Sequence, residues 1–155
     1  MFALALWRLC TDERLSFDYA AVANEIDDAL AGYEARAGGA FDLGGTRALA
    51  QKLKASLGEL ALENLDAGES NALVMDLGRL LIPVNYTTSG PFDQDLAVST
   101  SALPSLRCID GLQVVNGRDA MFLCTKLVRE RNRIEHALRE AIRRVQRASD
   151  MAKSR

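Results

Sequence analysis

The stretch LLIPVNYTTSGPFDQD, residues 80–95, decides how this chain is read. On both sides of it, apolar residues recur every three or four positions, the period of an amphipathic helix. Within it the composition turns to Pro, Asn, Thr, Ser and Gly, residues that end helices and build turns. Pro83 lacks a backbone donor and crowds the preceding turn, so the sequence predicts that a helix stops there. The chain then divides into a helical first part, an irregular segment over residues 83–117, and a helical close.

N-terminal to that stretch, residues 69–82 carry Leu73, Leu77, Leu80 and Leu81 at helical spacing. Before them, Leu49, Leu53, Leu57 and Leu60, with Leu65 as a candidate fifth, make a stripe in a helix that Asp42 or Thr46 can cap. Gly58 in that helix costs about 1 kcal/mol. Earlier still, Ala21, Val22, Ile26, Ala29, Leu30 and Tyr33 share one face; Ser16 or Asp18 can cap their helix and Gly38-Gly39 can end it. Residues 2–10 form a short helical piece. C-terminal to the irregular segment, Leu127, Ile134, Ala141 and Ala148 recur every seven residues, with Cys124, Leu138 and Val145 between them. Arg131 interrupts that second seam, so the last helix reads as a bundle member and not a free coiled coil.

The predicted fold is all-α: an antiparallel bundle of about four helices with a long ordered loop before the last. The loop is expected to be ordered because Val84, Tyr86, Phe92, Leu96, Val98, Leu103, Leu106 and Ile109 give it more apolar anchors than a disordered segment carries. LQVVNG, residues 112–117, reads as a short strand and turn.

A chain of 155 residues fits one domain with a real core. Its apolar fraction of 48% and charged fraction of 26% are ordinary for a globular protein. The net charge is −2, but residues 1–70 hold 6 basic and 12 acidic side chains whereas residues 126–155 hold 10 basic and 4 acidic. Because the late basic residues are interleaved with Glu, the expectation is mutual compensation within the bundle and no nucleic-acid partner. The opening MFALALWRLC lacks a basic leader and is too short to span a bilayer, so no membrane role is expected. Its abrupt apolar start points to a chain cut from something longer. Three cysteines without a Cys-x-x-Cys pair argue against a disulfide framework, with Cys108–Cys124 the one candidate bridge.

The residue inventory is poor in chemistry. Zinc catalysis needs several converging His, Cys or carboxylate ligands, and His136 is the one histidine. His136 and Glu140 lie one turn apart and read as a solvated helix pair. A Ser or Cys nucleophile lacks any other imidazole base. DLGGTR, residues 42–47, is no phosphate loop. Asp93 and Asp95 read as Asx turns more readily than as a cation site, and NYT at Asn85 fits the glycosylation acceptor pattern. No catalytic, cofactor-binding or metal residue is assigned.

Three stretches nevertheless resemble a known family. ALWRLCTDERLSFDYAAVANEI, residues 5–26, looks like the seam where the last helix of a peptidase domain passes into a helical domain. LVMDLGRLLIPVNYTTSGPFDQD, residues 73–95, is similar to that family's helix, Pro and "PF" loop, and LVRERNRIEHALREAIRR, residues 127–144, to its closing helix. The family is the transferrin-receptor-like dimerisation domain, the helical C-terminal domain of zinc exopeptidases of the glutamate carboxypeptidase and aminopeptidase type. The resemblance implies a non-catalytic scaffold: a domain that pairs two subunits while its long loop, residues 83–117, docks on a peptidase domain. Zinc would belong to that other domain, of which residues 1–10 here would be the end. Where carboxypeptidase-type members carry a Tyr- and Lys-containing stretch that holds substrate, this chain reads SALPSLRCIDGL, residues 101–112, and no substrate residue is assigned.

Expected partners are therefore a second copy and a peptidase domain, through a two-fold interface that includes Tyr86, Phe92, Leu96, Val128 and Ile142. Val128, Ala137 and Ile142 enter because they lie beside the main seam of the last helix. The alternative is a stand-alone helical interaction or regulatory module.

Overall fold

The computed structural model describes residues 2–60, 65–88 and 101–154. Every element among them is helical: α1 (Phe2–Thr11), α2 (Tyr19–Ala37), α3 (Gly44–Glu59), α4 (Ala67–Tyr86), a 3-10 helix (Pro104–Gln113) and α5 (Gly117–Lys153).

Local chemistry sets most boundaries. Asp18 caps α2, its carboxylate accepting from Ala21 N at 3.0 Å, and Gly38 ends the helix in the left-handed region at φ 57°. Asp42 accepts from Gly44 N at 2.8 Å at the start of α3. Thr46, the other candidate cap, is instead buried and bonded to Glu135 of α5 at 3.0 Å. Asp66 and Glu69 close a reciprocal capping box on α4.

Cross-helix contacts give the directions. Arg47 with Glu34 and Lys54 with Asn24 run oppositely along α2 and α3, so these two are antiparallel. Arg133 with Pro83 and Arg144 with Asp76 make α4 and α5 antiparallel. Tyr19 beside Gly78 and Glu25 beside Asn85 make α2 and α4 parallel, as Asp42 with Arg131 and Thr46 with Glu135 do for α3 and α5. Each bundle helix thus reverses on its predecessor, and the four sit in the order α2, α3, α5, α4 around one core. Ile26, Leu30, Leu53, Leu77, Leu81, Leu127, Ile134 and Leu138 fill it.

Pro83 does not end its helix; α4 runs one turn further, to Tyr86. Its missing donor costs about 3 kcal/mol in a helix interior, and three contacts hold the extra turn. Val84 is buried, Asn85 Nδ2 donates to Glu25 at 2.9 Å, and the Asn85 carbonyl accepts from Leu103 N at 2.9 Å. Of the predicted loop over residues 83–117, the described residues are therefore in large part helical. Its second half docks on its own bundle, with Leu103, Leu106 and Ile109 fully buried between α2 and α5. Leu103 has φ 51°, a region costly for a non-glycine residue, and the burial of its side chain offsets that cost. Leu112 and Gln113 belong to the 3-10 helix and Val114 turns out of it, so residues 112–117 form no strand. Phe92, Leu96, Val98, Asp93 and Asp95 lie outside the described residues.

The basic last helix packs against α3 of the acidic first part, while several of its arginines pair within α5. Among the described residues, Arg133, Arg139 and Arg143 pair with Glu130, Glu135 and Glu140 of α5 itself, and Arg144 pairs with Asp76 of α4. Spacings of three and four residues put the partners within α5 on one helix face.

Candidate functional site

Surface chemistry offers little for catalysis. Among the described residues no group of three or more His, Cys, Asp or Glu side chains converges as metal ligands do. His136 is exposed, and Glu140, its neighbour one turn on, pairs with Arg143. Cys10, Cys108 and Cys124 are free, so the candidate bridge is not formed. Asn85 is fully buried in the last turn of α4 and is closed to a glycan in the folded chain. No helix is long and apolar enough to cross a membrane among the described residues.

One polar cluster joins α2 to α4. Glu25 accepts from Asn85 Nδ2 and from the Tyr86 hydroxyl, the latter at 2.5 Å. That bond to the Glu25 carboxylate, with burial second, holds the Tyr86 phenol above the usual tyrosine range. The cluster ties the turn beyond Pro83 to α2, a positioning role.

Apolar exposure is the larger signal, and it gathers in α1, at the start of α5, and along the face of α4 that carries Met75, Ile82 and Tyr86 at spacings of seven and four. The first is α1. Phe2, Leu4, Leu6, Trp7 and Leu9 are all exposed, Phe2 at 90% and Trp7 at 67%. A helix apolar over most of its circumference is normally buried, yet no other described helix covers this one. Three hydrogen bonds hold the segment that follows. Asn71 accepts from Leu15 N at 2.8 Å and donates to the Glu13 carbonyl at 2.9 Å, and Arg14 donates to the Leu65 carbonyl at 2.8 Å. Beside this clamp lies an open groove of about 330 Å³, lined by Leu15, Phe17, Leu57, Leu73, Val74 and Leu77. Phe17 stands half exposed on its rim.

The second place is the start of α5. Met121 and Val128, seven residues apart, share the outward face of the helix, and Phe122 stands on its shoulder, 68% exposed. Val114, at the end of the 3-10 helix, is exposed as well.

Of the expected interface residues, Tyr86 and Val128 are exposed, and Phe92 and Leu96 lie outside the described residues. Ile142 is a correction: it is 5% exposed and belongs to the core, as does Ala137. The cause is the position of α5 against both α3 and α4, which covers a wider strip than one heptad seam. Sequence reasoning passed over α1, Phe17, Met121 and Phe122 as surface features. The available signal was MFALALW with Arg8 as the one charge in residues 1–11, and the run MFLC, residues 121–124, at the edge of the seam pattern. Comparison with protein-family models, with curated proteins and with solved structures found no match.

Proposed function

We propose that this chain is a non-catalytic helical scaffold that pairs with a second copy of itself and docks on a peptidase domain. That is the role implied by its resemblance to the transferrin-receptor-like dimerisation domain of zinc exopeptidases. The observation that carries the reading is α1: five large apolar side chains of one short helix stand in solvent with nothing of the described chain over them. Contiguous apolar surface of several hundred Å² marks an interface more often than a free face. The separate apolar group at the start of α5 supports a second contact, as a scaffold joining two kinds of partner needs. On this reading the chemistry belongs to the partner domain.

Sedimentation equilibrium tests the reading. A concentration-dependent dimer is expected in the micromolar range, and a monomer persisting to high micromolar concentration refutes self-pairing. Metal analysis after dialysis tests the non-catalytic half. One or two tightly held zinc ions per chain would overturn it.

A further inference from the structure

The same chain supplies an apolar helix without a seat and an open apolar groove, joined by residues 12–18. Resting on the self-pairing proposed above, we infer that two copies exchange α1, each laying it in the other's groove between Leu15, Phe17, Leu57, Leu73, Val74 and Leu77.

The clamp decides between the chain's own α1 and that of a second copy. Asn71 and Arg14 fix residues 13–15 against the connection into α4 and its first turns. That anchorage carries α1 away from the body instead of back over it. For α1 to fill its own groove with those bonds intact, the chain would have to reverse completely between Thr11 and Glu13. Exchange keeps all three and still removes Trp7 and Phe2 from water.

The areas reach the lower limit of what a specific pair requires. Each large aromatic buries roughly 150–250 Å² when covered, and α1 presents two of these with three leucines. Leu73, Val74 and Leu77 of the groove are already buried, so α1 contributes the larger face, and with about half of its surface covered the two contacts sum to roughly 1,000 Å², the lower limit for a specific interface. Exchange of an identical element closes on itself by two-fold symmetry and leaves no unsatisfied end.

The test uses the full 155-residue chain and two substitutions at exposed positions, Trp7→Glu on α1 and Phe17→Asp on the groove rim. Circular dichroism should show unchanged helix content in both. Sedimentation equilibrium should show each variant alone dimerising at least roughly tenfold more weakly than the parent. An equimolar mixture of the two should dimerise more tightly than either alone. In the mixed pair the intact α1 of the Phe17→Asp copy meets the intact groove of the Trp7→Glu copy, so one of the two contacts is restored. Both substitutions add negative charge, so attraction between them cannot produce the rescue. A parent dimer that neither variant weakens overturns the exchange and leaves self-pairing through another face standing. Weakening without rescue in the mixture also overturns it, because like-to-like pairing of α1 gives that result. A parent that stays monomeric overturns both the exchange and self-pairing.

Discussion

Gly78 sits mid-helix in α4, where alanine normally stabilises by about 1 kcal/mol. Here the opposite sign is expected. A Cβ on Gly78 would lie 2.6 Å from the Tyr19 hydroxyl oxygen, whereas ordinary contact begins near 3.4 Å. The phenol must therefore retreat by about 0.8 Å, the difference of those two distances. Tyr19 is buried, and crowding a packed side chain costs about 1–3 kcal/mol. The ring also lines the open groove, so it has somewhere to slide and the cost falls in the lower part of that range. Gly78→Ala should thus destabilise by up to about 1 kcal/mol net, or roughly 2–4 °C in Tm for a domain of this size. Tyr19→Phe supplies the control. Without the hydroxyl, the nearest ring atom is 3.7 Å from the new methyl, an ordinary contact. In that background Gly78→Ala should stabilise by about 1 kcal/mol. Urea unfolding of the four proteins, followed by circular dichroism, gives the coupling directly. If Gly78→Ala stabilises the parent and the Tyr19→Phe variant equally, Tyr19 does not pack on α4 as described.

Asp66→Ala removes one half of the capping box at the start of α4 and should cost about 0.5–2 kcal/mol in the same urea assay; Asp66→Asn should recover most of it. Asn71→Ala deletes both bonds to residues 13–15, and the peptide bond after Arg14 should then be cut sooner under limited trypsin digestion while global stability falls by no more than about 2 kcal/mol. Tyr19, through burial, and Tyr86, through its bond to Glu25, hold their protons above the ordinary tyrosine value of 10.0. Their contribution to stability is full below that value and is lost as pH rises through their folded pKa values. Absorbance titration should show one late phenol fewer in Tyr86→Phe than in the parent.

Local sequence was enough to set the class of fold. Apolar periodicity, Asp18 and Gly38 around α2, and the Asp66–Glu69 spacing are short-range features, and a helix of 16–20 residues is decided largely within itself. The seven-residue recurrence of Leu127, Ile134 and Ala141 likewise marked the buried edge of α5 before any partner was known. Contacts between distant segments set the rest. Pro83 reads as a stop, but Glu25, 60 positions from Asn85 in sequence, and Leu103 hold the helix open beyond it. Residues 101–113 read as loop because no periodic pattern announces a 3-10 helix whose leucines drop into a core built by other segments. Ile142 reads as an exposed flank until α3 and α4 close on both sides of α5. The sequence reads residues 2–10 as a short helical piece without saying what covers it, and in the structure Asn71 and Arg14 clamp the segment that follows while the apolar side chains of α1 stand exposed. Exposure is a property of what lies opposite a side chain, and only the packed arrangement of helices sets that.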